Sequence, residues 1–519
     1  MVIAKNPILS GFYPDPSICR VGDDYYIANS SFVYFPGVPL FHSKDLAHWE
    51  QVGNILDREE HLVLDEDEQE ISRGIFAPVI RYHEGVYYMI TTNISLGGNF
   101  VVTAEKPEGP WSEPYFLGEA APGIDPSLFF DEDGKCYYCG TRPNPEGVRF
   151  NGDWEIYAQE LDVKEMKLVG ESHKLWKGAM VTAIWPEGPH IYKIGDYYYL
   201  VHAEGGTGPE HSICVARSKN VFGPYEGCPR NPVFTHRHLG MGYPICYVGH
   251  CDLVDDKDGN WYAVMLATRM CEGHGSMGRE TFLAKVTWEK GWPVFNVGVG
   301  ILTDEVELPF EEYRFENEFT QNDLFHFWGS KLDDRFLGIE KRENLPISLE
   351  ARKGYLRLYT AKDKITEVGS PCYLGVRQKS YEFEASCGIE FAPKTADEAA
   401  GLVLFQNHEN HLRMEIVNTT GERELQVTTH IHGEDIAAAK TSLKAEGMIE
   451  IKIKAENQKA TVFLVEDGCQ RKVADVSLLP YTTEEAGGFV GCTVGMYATS
   501  NGTESDNYAD FAWLAVDNK

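Results

Sequence analysis

The sequence predicts an all-β protein, a five-bladed β-propeller followed by a β-sandwich. Three observations carry that prediction. Short runs rich in Tyr, Val, Ile and Phe alternate with Gly, Pro, Asp and Asn, with no sustained helical period. One fourteen-to-sixteen-residue pattern recurs five times in the first 300 residues. Beyond about residue 315 that pattern gives way to strict apolar/polar alternation, as in "GYLRLYT", "MIEIKIKAE" and "ATVFLVED".

The repeat opens with "DPSICRVGDDYYIA" at Asp15. It returns as "APVIRYHEGVYYMI" from Ala77, "DPSLFFDEDGKCYYCG" from Asp125, "GPHIYKIGDYYYLV" from Gly188 and "HCDLVDDKDGNWYAVM" from His250. Each copy has an apolar residue three places on (Ile18, Ile80, Leu128, Ile191, Leu253), a Gly-containing turn and an aromatic pair on the return. The intervals of 62, 48, 63 and 62 residues suit a four-stranded blade with variable loops. The expected division is residues 1–312 for the propeller and 313–519 for the sandwich.

Composition narrows the function. The apolar fraction of 43% excludes disorder. A formal charge of −32 disfavours nucleic acid and anionic membranes as partners and favours a neutral or cationic ligand. No window approaches twenty apolar residues and the N-terminus lacks a signal-peptide core, so a soluble, cytoplasmic protein is expected. The oligomeric state is left open. The twelve cysteines form no framework and read as buried thiols. Cys136 and Cys139 have zinc-knuckle spacing, but in a strand residues three apart face opposite ways. The run from Leu64 to Glu70, "LDEDEQE", reads as a solvated loop.

If the repeat starts are equivalent, Asp15, Asp125, Glu187 (one residue ahead of its repeat) and His250 converge on the central axis, with Phe76 and Ala77 as an apolar wall. An acidic centre is not required to close a propeller, so the cluster reads as functional. Adjacent blades are about 72° apart, which puts Asp125 beside Glu187 and Asp15 across from it. A neighbouring carboxylate and apolar groups such as Trp185 raise the pKa of Glu187, keeping it protonated as a general acid, while Asp15 stays ionised as a base. Such a pair suits glycoside hydrolysis, in which inversion needs a separation of about 6.5–9.5 Å and retention about 5–5.5 Å. Glu204 in "AEGGT" is a rival acid, read as structural because it lies one strand further out.

The first 300 residues resemble glycoside hydrolase family 43. The matching stretches are "GFYPDPSICRVGDDYYIANSSF", "FPGVPLFHSKDLAHW", "GIDPSLFFDEDG", "EGPHIYKIGDYYYL", "AEGGT", "GHCDLV" and "MGRET". The resemblance implies that Asp15 is the general base, Asp125 the pKa modulator and Glu187 the general acid of an inverting enzyme. It implies that Arg279 contacts the sugar and the modulating carboxylate, and that Phe32 lines the sugar subsite. His250 would lie at the pocket floor, at or near a calcium ion completed by waters. No organic cofactor is implied.

"NYADF", residues 507–511, resembles the closing strand of the concanavalin-like sandwich appended to β-xylosidases and arabinofuranosidases of this family. In those β-xylosidases a sandwich loop supplies an aromatic to the pocket rim. Alignment of "FVGCTVGMYATSNG" places Thr493 near that position, and Phe76 stands where many carry Trp. Both departures predict a wider pocket. The expected function is exo-acting release of terminal α-L-arabinofuranose from arabinoxylan-derived oligosaccharides, with β-D-xylosidase side activity. The alternatives are a primary β-D-xylosidase, an endo-arabinanase with an open groove, and a non-catalytic carbohydrate-binding propeller. A fructan-cleaving enzyme is disfavoured because no "WMNDPNG"-like segment is present.

Overall fold

The computed structural model describes residues 1–62, 70–179, 184–340, 345–419 and 421–519. Residues 64–69 of the acidic run therefore lie outside the described residues. Among the described residues, five four-stranded antiparallel sheets precede a sandwich of one eight-stranded and one six-stranded sheet. The innermost strands of blades I to V are Ser17–Val21, Val79–His83, Ile124–Phe130, Glu187–Ile194 and Ile245–Asp255. In blades I to IV the strand begins within two residues of the repeat start, and in blade V the start, His250, falls inside the strand.

The aromatic pair of each repeat has a packing explanation. Successive strand residues point to opposite faces, and each blade face meets a different neighbour. Tyr25 therefore packs with blade V while Tyr26 packs with blade II. Tyr87 faces blade I and Tyr88 faces blade III. Tyr138 and Tyr137 divide in the same way between the seams on either side of blade III. Full burial of a large apolar side chain contributes about 1.5–3 kcal/mol, so a doubled aromatic stabilises both seams at once. Cys136 and Cys139 likewise fall in opposite seams, and both are free thiols.

The ring is closed by a separate two-stranded ribbon, Val2–Lys5 paired with Glu305–Leu308. Val2, Ala4, Val306 and Leu308 fill the seam between blades V and I together with Ile18, Tyr25, Val254 and Tyr262. The sandwich packs one face of its six-stranded sheet on blade I. Phe12, Phe32 and Tyr34 of the propeller share one buried cluster with Tyr373, Phe405 and Tyr497 of the sandwich.

On the lower axis, Asp252 receives hydrogen bonds from Arg81 Nη1 (2.8 Å) and Nη2 (3.1 Å), Ser17 Oγ (2.7 Å), the Ile18 amide (3.0 Å) and Tyr192 Oη (2.5 Å). Arg81 Nη2 also donates to His190 Nδ1 at 3.0 Å. Blades I, II, IV and V are thereby joined by a saturated polar plug. Burial opposes ionisation of Asp252, but Arg81 and the other donors outweigh it and hold the carboxyl far below its usual range.

Candidate active site

Four of the five repeat starts share an unusual backbone conformation. Asp15, Asp125, Gly188 and His250 have φ of 51°, 52°, 55° and 46°. Strand register shifts accompany three of them, between Ile124 and Ser127, Glu187 and His190, and Gly249 and Cys251. Left-handed residues and bulges re-aim side chains and cluster at functional sites. In blade IV the kinked position is Gly188 and the acid precedes it, which accounts for the one-residue offset of Glu187. Gly188 has a second constraint, because a Cβ there would lie 2.8 Å from His250 Nδ1. Ala77 is absent from the left-handed positions, and blade II contributes no polar group to the pocket.

The kinks bring Asp15, Asp125, Glu187 and His250 around one pocket of about 420 Å³, also lined by Phe32, Phe76, Ala77, Trp185 and Arg279. These nine residues, all named from the sequence, thus face the same space. Ser30 Oγ donates to Asp15 Oδ2 at 2.6 Å and Arg279 Nη1 to Asp15 Oδ1 at 2.7 Å. The Gly188 amide donates to Asp125 Oδ2 at 3.0 Å. The Trp185 indole lies against Gly152 and Gly206, where added Cβ atoms would sit 3.0 and 2.7 Å from its ring.

The three carboxyls are held in different states. Burial pushes Asp15 up, but Arg279, His250 and the Ser30 hydrogen bond together bring it below its ordinary value of 3.8. Asp125 is raised, by burial first and by Asp15, against the opposing pull of His250, Gly188 and Arg279. Glu187 is raised well above 4.5 by burial, Asp125 and Asp15, with Arg279 as the opposing charge. Glu187 is half-buried and lines the pocket. An ionised acceptor and a protonated donor in one small pocket can serve a base and an acid.

Two expectations need correction. Arg279 pairs with Asp15 and not with the modulating position, Asp125. It precedes a blade V strand, Glu280–Glu289, and blade V adjoins blade I across the ring closure, so the guanidinium reaches the near carboxylate. Thr493 does not approach the pocket rim. It is fully buried in the sandwich and bonded to Tyr373 Oη at 2.8 Å. Four residues earlier, Phe489 lines the pocket. Its ring centroid lies 6.2 Å from those of Phe32 and Phe76, and its carbonyl accepts from Arg279 Nη2 at 3.4 Å. The sandwich therefore does supply an aromatic wall, and the widening expected there is absent.

Glu204 is not among the pocket residues. Its carboxylate accepts from His202 Nε2 (2.9 Å), the Ala179 amide (2.5 Å) and Trp176 Nε1 (3.4 Å), anchoring the backbone at Ala179. Sequence reasoning also passed over Trp154, at the start of the blade III strand Trp154–Asp162, and Thr207 and His211, in the loop between two blade IV strands, all of which line the pocket. The Gly205-Gly206-Thr207-Gly208 run was the available signal, because such a loop lets backbone approach a ligand closely.

The surroundings of His250 do not fit calcium. Calcium takes six to eight oxygen ligands, whereas His250 offers nitrogen. Asp252, on the same inner strand, already has its oxygens taken by Arg81, Ser17, Tyr192 and Ile18. The Arg81 guanidinium on the same axis opposes a second cation.

Comparison with known proteins places this geometry. Residues 4–293 match glycosyl hydrolases family 43, and residues 325–517 match the beta xylosidase C-terminal concanavalin A-like domain. A xylosidase/arabinosidase of Butyrivibrio fibrisolvens is 60% identical over the whole of both chains. A non-reducing-end α-L-arabinofuranosidase of Bacteroides ovatus is 37% identical, covering 98% of this chain and 94% of its own. Among solved structures, a xylan β-1,4-xylosidase from Bacillus halodurans superposes with a TM-score of 0.92 at 33% identity, covering 99% of this chain and all of its own. The chain belongs to glycosyl hydrolases family 43.

Proposed function

We propose that the protein is an exo-acting, inverting pentosidase. It releases terminal α-L-arabinofuranose from arabinoxylan-derived oligosaccharides and also hydrolyses β-D-xylosides. The carrying observation is the divergence of two carboxyls in one pocket, with Asp15 held below its ordinary pKa and Glu187 well above it. Asp15 accepts a proton from the attacking water. Glu187 donates its proton to the departing glycosidic oxygen. Asp125 keeps Glu187 protonated by charge repulsion and accepts the Gly188 amide, which orients the acid's strand.

The aromatic walls, Phe32, Phe76, Trp185 and Phe489, fit the apolar face of a single pentose, and a pocket of about 420 Å³ walled by them suits a terminal sugar. The two pentoses present similar ring and hydroxyl positions, which supports dual use of one pocket. Full-length relatives described as xylosidase/arabinosidase and as α-L-arabinofuranosidase support that choice.

The test compares initial rates on p-nitrophenyl α-L-arabinofuranoside and p-nitrophenyl β-D-xylopyranoside for wild type and Glu187→Ala. Turnover of both substrates, faster on the arabinofuranoside and lost in the variant, is expected. A faster xylosidase rate would reverse the order of the two activities, and binding of sugars without turnover would support the carbohydrate-binding alternative.

A further inference from the structure

Three residues lining the pocket carry a buried polar atom without a hydrogen-bond partner, Arg279 Nε, His211 Nε2 and Thr207 Oγ1, and two of these are a fixed donor and a fixed acceptor. The donor is the Arg279 Nε–H; the acceptor is His211 Nε2. His211 Nδ1 lies 2.9 Å from the Tyr247 carbonyl oxygen, which can only accept, so Nδ1 carries the proton and Nε2 presents a lone pair. The ring is 1% exposed and lies flat on Gly249, where a Cβ would come within 2.3 Å of it. Burial is the main cause that takes its pKa down to about 4, leaving it neutral at ordinary pH. His211 thus has a fixed orientation, a fixed tautomer and an unused acceptor.

Arg279 is oriented at its other nitrogens alone. Nη1 donates to Asp15 and Nη2 reaches the Phe489 carbonyl at 3.4 Å, while the guanidinium lies 5.8 and 5.7 Å from the Phe32 and Phe489 ring centroids. Orphaned buried donors and acceptors are rare in native proteins and costly. A complementary pair at one pocket points to a link made in the working state.

We propose that His211 is a positioning residue: in the sugar-bound enzyme its Nε2 accepts the Arg279 Nε–H, locking the guanidinium so that Nη1 holds Asp15 ionised and aimed at the attacking water. This rests on the reading of Asp15 as the base. Asp15 is faced by Arg279 and His250 from blade V, His211 and Glu187 from blade IV, Asp125 from blade III, and Ser30. Of these, Arg279 is the cation directly bonded to it.

The test uses His211→Asn, which keeps a donor for the Tyr247 carbonyl but has no acceptor at the Nε2 position, and His211→Gln, which places an amide oxygen near that position. Expected for His211→Asn is a fall in kcat/KM approaching about 10²-fold, the scale of a misplaced catalytic group. The acid limb of its pH profile should move to higher pH, with partial recovery of both in His211→Gln. In an Arg279→Lys background, His211→Asn should add little, because both act through one contact. An unmoved acid limb in both His211 variants, or losses that track a lower Tm and do not differ between Asn and Gln, would overturn the proposal. Carboxyl-carbon NMR titration of Asp15 in wild type and His211→Asn, with arabinose bound, reads the same shift without turnover. A wild type inactive on both aryl pentosides would sink the glycosidase assignment, and the titration would still decide the role of His211.

Discussion

The two ends of the propeller axis are built from the same inner strands and have opposite electrostatics. At the lower end one carboxylate, Asp252, is met by Arg81, two hydroxyls and a backbone amide, and its acceptor capacity is used. At the upper end three carboxyls share one arginine, and that arginine is committed to Asp15. The lower cluster is electrostatically satisfied and ties four blades together. The upper one is left short of positive charge, so one of its acids must keep its proton. Saturation stabilises the fold, and the deficit supplies the chemistry.

Substitutions at the two ends should therefore separate. The largest effect is expected at the upper end, where Asp15→Asn and Glu187→Gln should each lower kcat by about 10²–10⁴-fold with the fold retained by circular dichroism. At the lower end, Asp252→Asn should leave Arg81 with a buried unpaired charge and destabilise the protein by about 3–5 kcal/mol, read as a shift in urea midpoint. Loss of kcat in Asp252→Asn without loss of stability would contradict the division.

The contrast also has a pH signature. Asp15 titrates below 3.8, so the acid limb of kcat/KM should lie there, and Glu187 titrates well above 4.5 and should set the basic limb. Asp125→Asn removes a charge that raises Glu187, and should move the basic limb to lower pH. Linkage gives the stability counterpart. A carboxyl whose folded pKa is raised favours the fold below its unfolded pKa and loses that advantage as pH rises through the folded pKa. Glu187→Gln carries no such loss, so its Tm should exceed that of wild type at pH 7 and converge with it near pH 4. For Asp15, depressed on folding, the contribution is present above its unfolded pKa and disappears as pH falls through the folded value.

The smallest predicted change concerns the wall shared by the two domains. Phe489→Ala should reduce kcat/KM modestly, by about 2- to 10-fold, from lost stacking of roughly 0.5–1.5 kcal/mol. It should alter the ratio of arabinofuranosidase to xylosidase rates, measured on the two aryl glycosides. An unchanged ratio would mean that the sandwich wall does not discriminate between the sugars.

Much of this was legible in the residues because the repeat is a packing code. Paired aromatics mark strands with two buried faces, and an acid at or one residue before the repeat start in three blades marks an axis. The lower plug was not legible, because Arg81 and Asp252 lie inside strands whose pattern is otherwise ordinary and meet only when the ring closes. Phe489 was missed for a different reason. The strand Thr493–Thr499, buried at every position, says nothing about where the preceding loop points, and a four-residue error exchanges a core threonine for a pocket aromatic. Arg279 was found but assigned the wrong carboxylate, since blade order alone does not reveal that blade V reaches across to Asp15.

The central claim is that Asp15 and Glu187 hold opposite proton roles in one pocket. The most direct measurement compares kcat/KM for 4-methylumbelliferyl, p-nitrophenyl and 2,4-dinitrophenyl α-L-arabinofuranosides in Glu187→Gln and Asp15→Asn. A leaving group that needs no proton should rescue Glu187→Gln progressively along that series and leave Asp15→Asn impaired throughout. Equal losses in both variants across the series, or rescue of Asp15→Asn instead, would contradict the assignment.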